Sequence, residues 1–170
     1  MDNLEGTRTV KAIGPMAALT ALTAVVILAG TLLLHLQYTG FGAGTVEFES
    51  GPTLDVAVAA YDRVRQQGLS GRSSLEPHDG MLFLFPRAQR YAFWMQDMRF
   101  PIDVVWIRAG EVVDLTYGLS IPEGDEEPLT FAPVTPADAV LEVPAGFIAE
   151  HDLRVGQPVS AQVDRRGRLR

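Results

Sequence analysis

Three sets of side chains in this 170-residue sequence are of the types that do chemistry. The first is carboxylate. Asp97, Asp103 and Glu142 stand in or beside apolar runs, where a charge is costly unless it is paired. Two carboxylates meeting in a cleft push their pKa values apart, the arrangement that hydrolases use for general acid and base work. Asp103 with Glu142 or Asp97 would form such a pair. The same residues also have a structural reading. Arg72 or Arg99 could hold Asp103 as an ion pair, and Glu142, alternating with Leu141 and Val143, would face solvent.

The second set is soft-metal donors. His78, Met81, Met95 and Met98 fall within 21 residues, and imidazole with thioether suits Cu(I). Against a copper site, methionine in an apolar strand is ordinary core filler. Met95 and Met98 are also an odd number of residues apart, which puts them on opposite faces of a regular strand.

The third set is aromatic. Phe93, Trp94 and Trp106 are accompanied by Arg90 and Arg99. Strand alternation puts Phe93 with Met95 on one face and Trp94 with Gln96 on the other. Trp94 could line a ligand groove or a partner patch, with Arg72, Arg99 and Asp103 as its polar groups. An indole buries so much area that core packing of at least one tryptophan is expected.

Other chemistry is excluded or weak. Without cysteine there is no disulfide framework, thiolate zinc site or cysteine nucleophile. The serines Ser70, Ser73, Ser74, Ser120 and Ser160 sit in no nucleophile-elbow context, and His78 and His151 have no evident triad partner. The acidic cluster Glu123, Asp125, Glu126, Glu127 lacks the alternating spacing of a calcium loop and reads as a solvated run. Gly40, Gly42 and Gly44 follow an apolar span rather than a strand, so they read as linker and not as a phosphate loop. No cofactor is expected.

The elements that must position these residues are mostly strands. Short apolar runs separated by turn signals predict strands at 45–49, 53–59, 81–85, 91–96, 102–108, 111–117, 139–143 and 158–163. A hairpin turn is expected at 108–111 and another connection at 86–89. Asp62 could cap a helix over 63–67 ended by Gly68, and a second short helix follows Pro144 over 145–151. One longer helix over 54–67 fits the periodicity as well. Residues 120–136, with four prolines and the acidic cluster, read as an exposed excursion loop. The expected fold is α+β, mostly β: a compact twisted sheet or partly open barrel with one or two short helices.

Charge and hydropathy divide the chain. No Asp, Glu, Lys or Arg occurs between Lys11 and Glu47. Residues 13–34 would make a helix of roughly 33 Å, enough to cross a hydrocarbon core of about 30 Å. The sequence therefore predicts a cytoplasmic segment at 1–12, a single transmembrane anchor at 13–36, a linker at 37–44, an exported domain at 45–163 and a basic tail at 164–170. Arg8 and Lys11 precede the span and the next positive residue is Arg63, so the positive-inside rule puts the amino terminus in the cytoplasm and the domain outside. A cleaved signal peptide is the rival reading, although its apolar core would be shorter. The −7 net charge belongs wholly to residues after 40, with 19 acidic residues against 12 arginines. That balance argues against a nucleic-acid partner. Both a high-salt environment and a GC-rich genome would produce this acidic, lysine-poor composition.

Several short stretches carry a family resemblance. They are Gly68-Leu69-Ser70-Gly71-Arg72, Gly80-Met81-Leu82-Phe83-Leu84-Phe85, Phe93-Trp94-Met95, Pro101-Ile102-Asp103-Val104-Val105-Trp106-Ile107, Leu141-Glu142-Val143-Pro144-Ala145-Gly146 and Gly156-Gln157-Pro158-Val159. In this order they resemble domain of unknown function 192, a group of prokaryotic secreted and membrane-anchored proteins. The resemblance implies a compact, mostly β domain behind an export signal or anchor. It implies no reaction and supplies no catalytic residues. Gly156-Gln157 departs from the family's usual Gly-Asp, which weakens any role for a carboxylate there.

Together these observations point to a membrane-anchored extracytoplasmic module that binds a small ligand, a peptide or an envelope protein. Two rivals stand beside it: an exported hydrolase using paired carboxylates, and a copper-binding protein.

Overall fold

The computed structural model describes residues 23–28, 41–76, 78–122, 124 and 127–164. The chain divides into two units, 1–39 and 40–170. In the first, residues 23–28 are helical and exposed. The rest of the expected span 13–36 lies outside the described residues, as do Glu123, Asp125, Glu126 and most of the tail. Among the described residues no helix is long and apolar enough to cross a membrane.

The second unit is mostly β. Among the described residues nine strands form in chain order: β1 (Gly42–Phe48), β2 (Thr53–Ala59), β3 (Gly80–Gln89), β4 (Phe93–Trp94), β5 (Ile102–Arg108), β6 (Glu111–Leu119), β7 (Thr130–Phe131), β8 (Ala137–Pro144) and β9 (Val159–Val163). Two short helices, α1 (Asp62–Gln67) and α2 (Phe147–Glu150), complete it. Seven strands make one sheet in the order β6-β5-β8-β3-β2-β1-β9, and β4 pairs with β7 in a separate ribbon. All pairings are antiparallel except β2 with β3.

That parallel pair explains α1. Parallel neighbours cannot be joined by a hairpin and need a crossover connection. The segment between β2 and β3 supplies it, and residues 53–59 are therefore a strand rather than the start of a longer helix. Gly68 ends α1 with φ of 49°, its N–H bonded to the Val64 carbonyl. A Cβ at Gly68 would come within 3.3 Å of the Phe83 ring, so glycine lets the end of α1 pack closely against β3.

The sheet curls into a half-barrel. Its two edge strands approach each other where Glu111 bridges to Pro158. The bridge is reinforced by Val112 N–H to the Gln157 carbonyl at 3.0 Å and Val159 N–H to the Gly110 carbonyl at 2.9 Å. The enclosed face is filled by one cluster, including Val46, Phe48, Val56, Leu82, Val105, Leu141 and Val143. The opposite face carries a second cluster, including Met81, Phe83, Met95, Val104 and Trp106. Both faces of the central strands are thus covered, and β5 is buried throughout from Ile102 to Ile107.

Two expectations need correction. Residues 86–89 are not a separate turn, because β3 runs on to Gln89 with a shift in its pairing to β8 between Leu84 and Gln89. The excursion 120–136 is not wholly exposed either. Thr130–Phe131 pair with Trp94 and Phe93, and Phe131 packs 6.0 Å from the ring of Trp106.

Candidate binding cleft

β8 presents its side chains alternately to the two faces of the sheet. Leu141 lies opposite Val105 and Leu82 and joins the enclosed cluster. Glu142, one residue on, lies opposite Val104 and Met81 and points to the other face. The expected solvent exposure of Glu142 is therefore corrected: it is buried, because this face is itself covered. Apolar neighbours leave its carboxylate poorly solvated, and burial pushes its pKa from 4.5 up to about 8. The buried Arg72 guanidinium opposes this, lowering the pKa without restoring it. Arg72 itself lies over the Phe41 ring at 4.7 Å.

Glu142 lines a cleft of about 410 Å³. One wall is α1 with its C-terminal turn, contributing Asp62, Arg65, Gln66, Gln67 and Ser70. The other is aromatic. Phe83 and Phe85 come from β3, and Tyr91, Phe93 and Trp94 from the ribbon segment. Phe85 and Tyr91 stack at 3.8 Å, while Phe83 and Phe93 meet edge to face at 5.2 Å. Arg65 is fixed by donating to the Ala60 and Leu84 carbonyls, at 2.6 and 2.7 Å, and it pairs with Asp62. The loop after α1 is tied to the ribbon by Ser70 Oγ donating to the Gln96 carbonyl at 2.8 Å and by Gly71 N–H to the Asp97 carbonyl at 2.9 Å. The rim of the cleft is therefore built from elements bonded to one another.

The two tryptophans divide as alternation and area suggest. Trp106 is fully buried, and its indole N–H donates to Thr116 Oγ1 at 2.9 Å. Trp94 is 50% exposed and lines the cleft.

Asp103 belongs to the other face. It lies opposite Val143, whose side chain is in the enclosed cluster. Its carboxylate accepts three backbone N–H groups: Gly118 at 2.7 Å, Gly146 at 3.0 Å and Ile148 at 3.0 Å. Asp103 thus joins β5, β6 and the start of α2. The expected arginine partner is replaced by the backbone. The expected carboxylate pair is not assembled either, since Asp103 and Glu142 are separated by the sheet. Asp97 is exposed, in a left-handed turn with φ of 54°, and does not line the cleft. Arg99 is exposed and lines neither this cleft nor the hollow beside His78 and His151. Arg90 is a tether, its Nε donating to the Pro133 carbonyl at 2.7 Å.

Of the copper donors, the three methionines share one apolar cluster and the histidine lies apart from them. Met81 and Met95 are fully buried in the second cluster, with Met98 packed against it. His78 instead borders a different hollow of about 700 Å³ together with His151. Among the described residues no group of three or more His, Cys, Asp or Glu is placed to hold a metal ion. The larger hollow lacks a buried ionisable group in its lining. The cleft over Glu142 is therefore the candidate site.

Sequence reasoning singled out Trp94 and Arg72 on this side of the sheet but missed Phe85, Tyr91 and the α1 wall. The aromatic residues Phe83, Phe85, Tyr91 and Phe93 on either side of Pro86 were the available signal.

A half-barrel sheet with an aromatic cleft on its outer face defines a mostly β domain. The chain belongs to the DUF192 family, described as "Uncharacterized ACR", whose model matches residues 45–161. No curated protein matches it. Among solved structures it is similar to a proposed transcription regulator from Sinorhizobium meliloti 1021, with 25% identity and a TM-score of 0.60 over 71% of this chain and 93% of the other. It is also similar to a protein of unknown function from Novosphingobium aromaticivorans DSM 12444, with 26% identity and a TM-score of 0.59 over 71% and 84%.

Proposed function

We propose that the domain is an extracytoplasmic binding module for a small ligand, anchored by residues 13–36, with the cleft over Glu142 as its seat. One observation carries the reading: five aromatic rings and a single buried acid converge on one cleft of ligand size. Burial favours the protonated form of Glu142, whose carboxyl can donate a hydrogen bond to a ligand in an apolar surround. Trp94 is the accessible ring that a ligand would cover. The regulator description of the Sinorhizobium protein is not carried over, because 19 acidic residues against 12 arginines after residue 40 oppose phosphate binding.

The hydrolase reading has weaker support. Glu142 alone has the raised pKa of a general acid, but Asp103 is committed to backbone on the opposite face. A thermal-shift screen of small molecules on the full-length chain tests the binding reading. Stabilising compounds should lose their effect in Trp94→Ala; compounds that stabilise both proteins equally would place binding elsewhere.

A further inference from the structure

The cleft's charge balance and polar wall narrow its ligand, on the reading that the cleft is the binding seat. Asp62, Arg65 and Glu142 are the ionisable acids and bases in its lining apart from Tyr91. Asp62 and Arg65 are paired with each other, and Arg65 spends further N–H groups on two carbonyls. Glu142 is opposed by Arg72, and its neutral form is favoured by burial. Arg65, the one cation in the lining, is already committed, so an anionic ligand would lose its hydration without compensation.

The polar side-chain groups that remain are glutamine amides and the Trp94 indole N–H. Gln66 and Gln67 face the cleft from α1, and Gln89 from the end of β3. An amide carries both donors and an acceptor, as does a protonated carboxyl. Such groups match hydroxyls, which are donors and acceptors at once. Across from them stand flat aromatic faces, which take an apolar ring face.

We propose that the cleft binds an uncharged, hydroxyl-bearing ring of the saccharide class, its apolar face on Trp94 and Tyr91 and its hydroxyls toward Gln66, Gln67 and Glu142. The volume of about 410 Å³ lies within the usual range for small-molecule pockets.

The test titrates the full-length chain, in a detergent without a sugar headgroup, with cellobiose, chitobiose and maltose. Benzylamine and benzoate serve as charged ring probes. Tryptophan fluorescence reports on Trp94, because Trp106 is shielded in the core, and calorimetry gives the affinity. At least one disaccharide should bind saturably with Kd of about 1 mM or tighter, and Trp94→Ala should weaken it at least about tenfold. If a charged probe binds in a Trp94-dependent way and no disaccharide does, the saccharide class is overturned while the cleft stands as a ligand seat. If neither kind of probe binds, both the saccharide class and the binding reading fall.

Discussion

Asp103 and Glu142 sit on adjacent strands, one residue apart in register, yet their side chains leave opposite faces of the sheet. Asp103 lies across from Val143, and Glu142 across from Val104. The pairing between β5 and β8 is regular over this stretch, so the separation follows from strand parity alone. The two buried acids consequently have different work. Asp103 is bonded to three backbone N–H groups and organises the fold, whereas Glu142 faces a cleft and has its pKa raised by burial.

Asp103→Asn should destabilise the domain. The amide cannot accept all three N–H groups as well as a carboxylate and brings donors of its own. A loss of about 3 kcal/mol is expected, read as a lower urea midpoint with unchanged m-value. An unaltered midpoint would contradict the structural role.

Glu142→Gln should change the pH profile of stability. The folded pKa of about 8 is above its ordinary 4.5, so the unfolded state binds fewer protons between these values. Wild-type stability from this group is fully present below about pH 4.5 and is lost as pH rises through 8. The glutamine variant lacks that decline. Relative to wild type it should gain on the order of a few kcal/mol between pH 4.5 and pH 9, measured by denaturation across pH. Parallel profiles would show that Glu142 ionises freely.

Trp94 and Trp106 should behave oppositely on truncation. Trp106→Ala removes a fully buried indole and its hydrogen bond, costing roughly 3–5 kcal/mol. Trp94→Ala should cost about 1 kcal/mol or less, since half the side chain is already in water. Chemical denaturation of both variants checks the contrast.

Gly80→Ala should also be costly. A Cβ there would stand 2.8 Å from the Glu142 carbonyl oxygen, inside any real contact, with Leu141 and Val143 close behind. β3 and β8 would have to separate on the enclosed side of the sheet, beside Leu141 and Val143. About 2 kcal/mol or more is expected in denaturation, and a neutral substitution would contradict the close approach.

Local pattern made much of the fold legible. The β-branched runs at 53–59 and 102–108 are strands with those bounds, and Gly68 ends the first helix. The mostly β, partly closed sheet follows from many short runs with turn signals. What the pattern hid is what depends on distant chain. Glu142 between Leu141 and Val143 has the alternation of a half-exposed strand, and its burial arises because β8 is central and the other face is covered by remote segments. Asp103 finds partners 15, 43 and 45 residues away, none of them an arginine. Phe131 lay among prolines that signal a loop, and only its packing on Phe93 and Trp106 makes it part of the core.

The most direct test of the cleft as ligand seat is an NMR fragment screen on the full-length chain with assigned backbone amides. Fragments that bind should shift the amides of Gln67, Phe85, Tyr91, Phe93 and Trp94 together, leaving those around His78 and His151 unmoved. Hits that cluster at His78 and His151 and spare the aromatic wall would contradict it.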